Sequence, residues 1–492
     1  MIFLRRPFAA LIAWFAIPAF ATPQPIDATG LWMNPAESGW GISVFHQGDT
    51  LFASLFVYGP DGQPKWYTAS GMAGGPATYS GALVEATGPY FGASSFDSNA
   101  VTRRIVGTMT LALDDTSANV TYTVDGTQVS KRVQRFSMRP LNLSGAYFAV
   151  ELQPASVSGT EIVRLDQHLQ ISDNGTAMTM SSDSNSTSAC TFDVSSRTQN
   201  GETVTASGTY HCGGSSGPFS MTVDPTPHGF AGTFTGNGIT QGRIAAALRT
   251  PPKMQGNGWL DDLWFPWNEG GWGLNLIDQG DTAFATLFVY DAQNRPHWYS
   301  ASQLTAGMQS DRVAWSGSLE ESTGPYFGAP FDPSRVSRQV VGNMSLSIAP
   351  NENAFLTYTV NGLTISKEAG RFAFRWQNLT GSYRGHVVMR TDDPRGLSYD
   401  DAQITIDDHG DDTMSMSIDI ATGPKCNFTG RGPQFGKQRE VSGTYTCQDG
   451  TQGLWVMNDV MVTAAGFTGT YSGPAGHIGG RITNGHISGA RR

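Results

Sequence analysis

Three acidic positions recur in two copies of one stretch of this chain: Glu37 and Glu269, Asp49 and Asp281, Asp97 and Asp332. Paired acids suggest glycoside hydrolysis, which needs two carboxyl groups facing each other at a fixed separation. Glu37 and Glu269 lie in Trp-rich loops and are the catalytic candidates. Asp49 and Asp281 sit in Gln-Gly-Asp-Thr turns, which account for them without chemistry. No His is matched between the copies, since His46 stands opposite Asp278 and Lys65 opposite His297. A shared Ser-His-Asp or His-metal site is therefore not expected, although one half alone could carry such a site. Neither His-Glu-x-x-His nor a phosphate loop occurs. Asp407, Asp408, Asp411 and Asp412 could gather oxygen ligands for calcium. Their first-half counterpart is only the turn Asp173-Asn-Gly175, so an acidic solvated hairpin is the simpler reading. No cofactor is indicated.

Aromatic residues form the strongest shared signal. Tyr58, Trp66, Tyr67, Tyr90 and Phe91 return as Tyr290, Trp298, Tyr299, Tyr326 and Phe327. Trp66 and Tyr67 are adjacent, so in a strand they point to opposite faces. One of them must lie outside the local core, or the strand is covered twice. Thr87-Gly-Pro-Tyr-Phe-Gly-Ala93 is loop-like and returns unchanged as 323–329. Loops on rigid β scaffolds commonly carry binding groups, and aromatics beside polar groups suit sugar stacking or an apolar pocket. These ten residues are the ligand-binding candidates. The competing reading makes the loop a plug against the neighbouring B module. Trp40 and Trp272, also matched, read as core.

The elements that must position these residues read as strands. In Trp40–Gln47 one face runs Trp, Ile, Val, retained as Trp272, Leu274 and Leu276. The strand Leu51–Tyr58 has faces Leu/Ala/Leu/Val and Phe/Ser/Phe/Tyr, both apolar enough to be covered. Asp61-Gly62 closes a hairpin. About eight antiparallel strands fill some 110 residues, the spacing of an all-β barrel or sandwich. The repeat continues beyond its opening: Leu143-Ser-Gly-Ala-Tyr147 matches Leu379-Thr-Gly-Ser-Tyr383, and Gly229–Thr233 matches Gly466–Thr470. The chain thus predicts four modules in the order A1-B1-A2-B2, spanning 26–140, 141–249, 259–376 and 377–486. Residues 250–258, with Pro-Pro and Gly-Asn-Gly, read as a linker. The short joins near Pro140 and Gln377 predict that A and B of one half touch.

Each module opens on a short aromatic signal and closes on an Arg. The pairs are Gly30-Leu-Trp32 with Arg135, Gly145-Ala-Tyr147 with Arg243, Trp264 with Arg371, and Gly381-Ser-Tyr383 with Arg481. This resembles the calycin arrangement of lipocalins and avidins, which implies eight-stranded barrels with an Arg covering the first-strand aromatic. Asp262 departs from that pattern, standing where the Gly should be. The phrase Asn34-Pro-Ala-Glu-Ser-Gly-Trp-Gly41, with Leu51-Phe-Ala-Ser-Leu-Phe-Val-Tyr58 and Pro64-Lys-Trp66, also resembles a tandem repeat of exported proteobacterial proteins. That resemblance implies export and β structure, and carries no catalytic residues.

Composition bounds the rest. The 492 residues are 39% hydrophobic and only 15% charged, with 59 Gly. That mix suits short strands and tight turns. Residues 1–21 read as a signal peptide, with Arg5-Arg6, the apolar run Phe8–Phe20 and Ala19-Phe-Ala21. Ordinary Sec export fits better than the twin-arginine route, because the usual polar residue before the pair is missing. Without that segment 29 basic residues face 41 acidic ones, a net charge of −12. Such a surface disfavours nucleic acid and anionic membrane. No other run is long enough to span a membrane. Cys190 with Cys212 and Cys426 with Cys447 predict two local disulfides in an oxidising compartment. The functional expectation is an exported, periplasmic or extracellular, non-catalytic protein binding a glycan or a small apolar or aromatic molecule. The alternatives are an exported hydrolase using Glu37 and Glu269, and a structural envelope protein.

Overall fold

The computed structural model describes residues 27–492 apart from 76, 115, 183–188, 250–259, 310–311, 349–353, 389–398, 422 and 475–480. The expected signal peptide and linker lie outside the described residues. The fold is all-β, with four antiparallel barrels in the order A1, B1, A2, B2. A1 runs from Gly30–Met33 to Thr127–Arg135 and closes where Trp32 pairs with Arg135. A2 runs from Asp262–Pro266 to Leu363–Arg371 and closes where Trp264 pairs with Arg371. B1 runs from Gly145–Gln153 to Ile239–Leu248, and these two strands pair. B2 runs from Gly381–Val388 to Arg481–Arg491. Its ring closes through Cys426–Arg431 against Gln438–Cys447, and the two-residue strand Gln434–Phe435 is added at one edge. Ala155–Ser158 forms one short helical turn.

Side-chain alternation builds each core. In A1, Ile42, Val44, Leu51, Ala53, Leu55 and Tyr67 point inward. Both disulfides form, Cys190–Cys212 and Cys426–Cys447, each between neighbouring strands. The B cores therefore carry a covalent cross-link that the A cores lack.

Among the described residues, closure by Arg over the first-strand aromatic holds in A1, A2 and B2, with a different Arg from the expected one in B2. The Arg135 guanidinium lies 5.2 Å from the Trp32 ring centroid, and Arg371 lies 4.7 Å from Trp264. In B2 the covering residue is Arg491, 5.2 Å from Tyr383; the side chain of the expected Arg481 lies outside the described residues. In B1, Arg243 donates instead to the Arg491 carbonyl at 2.6 Å. The reason is register: the covering Arg must stand directly across the strand pair from the ring. Arg491 faces Tyr383, whereas Arg243 faces Leu152 and Leu248 takes the position opposite Tyr147. Asp262, the departure from the motif, is buried and ion-paired to Arg371 at 3.2 Å.

A and B of each half touch, through Gln199 Nε2 to the Arg139 carbonyl (2.9 Å) and Gln434 Nε2 to the Arg375 carbonyl (2.7 Å). A further contact joins A1 to A2 by an internal two-fold relation. Gln47 caps the backbone of Phe372, Phe374 and Arg375, while Gln279 caps that of Phe136, Met138 and Arg139. Asp49 pairs with Arg375, and Asp281 with Arg139. The matched Gln-Gly-Asp-Thr turns are thus two halves of one reciprocal clasp.

Candidate functional site

The ten matched aromatics meet at the A1–A2 contact. Outward-facing Phe56, Tyr58 and Trp66 of A1 pack into the A2 hydrophobic cluster. Trp66 lies 5.3 Å from Phe288, and Trp298 lies 5.9 Å from Phe56. The indole N–H of Trp66 donates to the Val289 carbonyl at 3.0 Å, and that of Trp298 to the Val57 carbonyl at 3.2 Å. The hydroxyls of Tyr58 and Tyr290 donate at 2.5 Å to the Gly39 and Gly271 carbonyls. Burial pushes the Tyr58 phenol up to about 12, so it remains a neutral donor.

The unchanged heptapeptide is a mutual plug, placed against the opposite A module rather than a B module. Phe91 enters A2, 6.0 Å from Tyr299 and 6.2 Å from Tyr358. Phe327 enters A1, 6.2 Å from Tyr67 and 6.0 Å from Tyr122. Each loop is pinned by backbone, Phe91 N–H to Tyr290 O (3.1 Å) and Phe327 N–H to Tyr58 O (3.2 Å). Gly88 lies on the Tyr290 ring and Gly324 on the Tyr58 ring, and a Cβ at either would clash with it. Tyr90 and Tyr326 pack beside their own Phe at 4.7 Å.

A cleft of about 550 Å³ opens beside this contact. Trp40, Phe56 and Trp298 give it aromatic walls, and Ser43, Thr286 and Ser300 give it hydroxyls. Phe136, Arg139 and Arg338 stand among its other lining residues. All ten aromatic candidates serve the contact between barrels, and Trp298 of them also lines this cleft. Ser43, Thr286 and Ser300 were not singled out from sequence. The available signal was the Phe/Ser/Phe/Tyr face of Leu51–Tyr58, where a small polar residue interrupts an otherwise aromatic row.

The acidic candidates are occupied by other partners. Glu37 accepts from Lys131 at 2.6 Å and from the Trp40 indole at 3.1 Å. Glu269 repeats this with Lys367 at 2.5 Å and Trp272 at 3.2 Å. Each is a brace between its loop and the last strand of its own barrel. Asp97 and Asp332 cap short helical turns by accepting from the Asn99 and Ser334 amides. Of the calcium candidates, Asp408 is buried against Arg439 (2.8 Å) and also accepts from Trp376 and Leu379. Asp411 accepts from Thr413. Asp407 lies 3.7 Å from His409. Among the described residues no group of three His, Cys, Asp or Glu is arranged to hold a metal.

A second polar cluster lies where the modules converge. Lys437 of B2 is buried and bonds Asp261 of A2 at 3.3 Å, while its amide donates to Asp262 at 3.1 Å. Burial and the neighbouring Asp261 raise the carboxyls of Glu202 and Asp278 well above the usual range. Burial, aided by Asp27, pushes Asp224 up to about 6. Burial lowers the affinity of His46 for a proton, so its imidazole is held neutral.

No protein-family model and no curated protein matches the chain. Among solved structures, the chain is similar to a tryptophan-to-alanine mutant of the vaccine antigen transferrin binding protein B from Haemophilus parasuis Hp5. The identity is 8%, over 84% of this chain and 95% of that one, with a TM-score of 0.15. At that score the likeness carries no argument about this protein. The two disulfides fit an oxidising compartment. Among the described residues no helix is long and apolar enough to cross a membrane.

Proposed function

We propose that this chain is an exported, non-catalytic binding protein whose ligand enters the A1–A2 cleft. The observation that carries the reading is a cavity of about 550 Å³ with aromatic walls and a hydroxyl-bearing floor. That volume and lining suit a small organic ligand. Trp40, Phe56 and Trp298 offer ring faces, and the hydroxyls fix orientation. The ligand classes that fit are a glycan and a small apolar or aromatic molecule. Export is supported by the disulfides, by the leader-like first 21 residues and by the resemblance of the A modules to repeats of exported proteobacterial proteins. The Arg-over-aromatic closures support a calycin-like barrel. The hydrolase reading loses support because Glu37 and Glu269 are each neutralised by a Lys.

One observation favours a second reading, that of a structural protein: the ten matched aromatics, Trp298 included, meet at the contact between A1 and A2. The test is intrinsic Trp fluorescence and thermal shift against sugars and small aromatics. Ser302 is exposed and lines the cleft, so Ser302→Trp should block entry without disturbing a core. Saturable binding lost in that variant supports the binding reading. No response to any ligand class favours the structural one.

A further inference from the structure

We propose that the ligand of this cleft is a small zwitterion with an apolar body, a free amino acid with a large apolar side chain, whose ammonium is taken by Glu320 and whose carboxylate is taken by Arg338. This rests on the cleft being the binding site. The internal duplication supplies the argument, because residues lining the cleft have equivalents on the other side of the A1–A2 contact. Some are matched: Arg338 with Arg103, Ser302 with Ser70, Phe284 with Phe52. Three unmatched ones set the character of the cleft. Met33 and Met138 stand where the other side has Phe265 and Phe374, and Glu320 stands where it has Val84. The Phe265 and Phe374 rings pack against Phe372 (5.4 Å) and Phe52 (5.8 Å). Met in place of Phe gives slimmer, adaptable walls. Glu in place of Val adds a charge that the barrel does without in its other copy. The side with the open walls is thus the side with the extra carboxylate.

Register sets the order of the groups along the cleft. On the outer face of A2, Ser322 stands across from Arg338, and Ser300 stands across from Glu320. Thr286 stands across from Ser300, and Phe284 is one level further along the same strand. Successive levels on one face are about 6–7 Å apart. Arg338, Glu320 and Phe284 all line the cleft, so it presents a cation, an anion and an apolar surface in sequence. Each is within a ligand's reach: Arg338 is exposed, and Glu320, Phe284, Met33 and Met138 are half-buried.

The two charges do not answer each other. Glu320 and Arg338 are diagonal neighbours, about 7–8 Å apart along the sheet. Among the described residues Glu320 has no hydrogen-bond or ion-pair partner, and Arg338 donates to the Ser38 hydroxyl at 3.3 Å. The third charged residue of the cleft, Arg139, is committed to Asp281 at 2.7 Å. An α-amino acid carries its ammonium and carboxylate on one carbon. It can bridge the free pair through charge-assisted bonds of about 2.8 Å on each side, while its side chain continues onto Phe284 and Met138. A neutral sugar would leave both charges unanswered, and a simple amine or acid would answer one.

The test is calorimetric titration of the full exported chain with phenylalanine and tryptophan, with phenylethylamine and 3-phenylpropionate, which each lack one charge, and with indole and maltose, which lack both. At least one of the two amino acids is expected to bind, tenfold or more tighter than any of the other four. Ser302→Trp should abolish that binding, which places it in the cleft. Glu320→Val, which installs the residue of the other copy, should bring phenylalanine down to the level of 3-phenylpropionate and leave the melting temperature unchanged. A merely structural Glu would lower the melting temperature and leave the preference for the amino acid intact. Equal binding of phenylalanine and 3-phenylpropionate by the wild type overturns the proposal, as does a preference that survives Glu320→Val. Binding of indole or maltose without binding of either amino acid also overturns it and leaves the cleft reading standing. If no probe binds, the cleft reading falls and the proposal with it. Should Glu320→Val fail to fold, Glu320→Gln carries the same test.

Discussion

Replacing Phe327 by Ala should uncouple A1 from A2. Phe327 belongs to A2 by sequence, yet its ring is 8% exposed and packs in A1 between Tyr67 and Tyr122. Removing a buried Phe costs about 3–5 kcal/mol from lost transfer energy and the cavity left behind. The backbone bond from its amide to Tyr58 persists, so the loop stays placed and the cavity does not collapse. For a cooperative unit of 150–250 residues each kcal/mol moves the midpoint by about 2–4 °C. The transition in which A1 melts should therefore fall by roughly 6–20 °C. Scanning calorimetry of the wild type should show A1 and A2 unfolding together; the variant should split them. Leu454→Ala is the control, since Leu454 is 61% exposed and surface changes usually stay within about 0.5 kcal/mol. If Phe327→Ala melts like that control, the plug does not hold the barrels together and the reasoning fails.

Reduction should act on the other pair of modules. Each disulfide closes a loop of about 20 residues, and loss of such a bridge costs about 3 kcal/mol; dithiothreitol should lower the B transitions in calorimetry and leave the A transitions in place. Asp224 should make the A1–B1 junction sensitive to pH. Its carboxyl is raised to about 6 by burial and Asp27, against about 3.9 in an unfolded chain. A raised carboxyl stabilises the fold below the unfolded value, and that stabilisation is lost as pH climbs through the folded one. The two-unit gap corresponds to about 3 kcal/mol, so Asp224→Asn should flatten the fall in stability between about pH 4 and about pH 6, measured by denaturant titration at each pH. An unchanged pH slope would refute this.

The duplication exposed much of this architecture in the sequence. Period-two faces and regular turns gave eight strands per module, and the repeated Gly-Thr-Tyr-x-Cys context gave the disulfides. The two apolar faces of Leu51–Tyr58 correctly implied a strand covered twice. What covered it was not legible, because matching two copies cannot separate residues kept for a ligand from residues kept for each other. Trp66, Phe91 and their counterparts carry the same signal under either reading. Asp173 and Asp408 illustrate a different limit. Both are buried beside an Arg, but the partners Arg197 and Arg439 come from different positions in the two copies. Position-by-position matching therefore missed the pair and read an exposed turn. The cleft hydroxyls escaped because Ser and Thr are frequent, and only the fold brings Ser43 of A1 and Ser300 of A2 to one cleft.

The internal two-fold resembles that of a homodimer, in which one patch meets its own copy. One chain removes a constraint that a homodimer would face. Gln199-Asn-Gly-Glu202 and Gln434-Phe-Gly-Lys437 are equivalent turns, both held by their Gln to the carbonyl two residues on. In a homodimer the position would be Glu opposite Glu or Lys opposite Lys. Here Lys437 is buried among Asp27, Glu202, Asp261 and Asp262, and these carboxylates hold its ammonium charged against burial. Removing one partner of a buried ion pair costs about 3–5 kcal/mol, since the remaining charges stay uncompensated. Lys437→Met should therefore destabilise the junction of A1, B1, A2 and B2 by that amount at pH 7. The loss should shrink at pH 4–5, where the raised carboxyls of Glu202 and Asp278 hold protons and need no counter-charge. Lys437→Glu, which restores symmetry, should be worse than Lys437→Met at pH 7 and close to it at pH 4. Chemical denaturation of both variants at the two pH values separates this from simple loss of packing, which would be equal at both. Equal losses would show that Lys437 acts as a space-filling side chain and that the divergence of the two turns carries no electrostatic meaning.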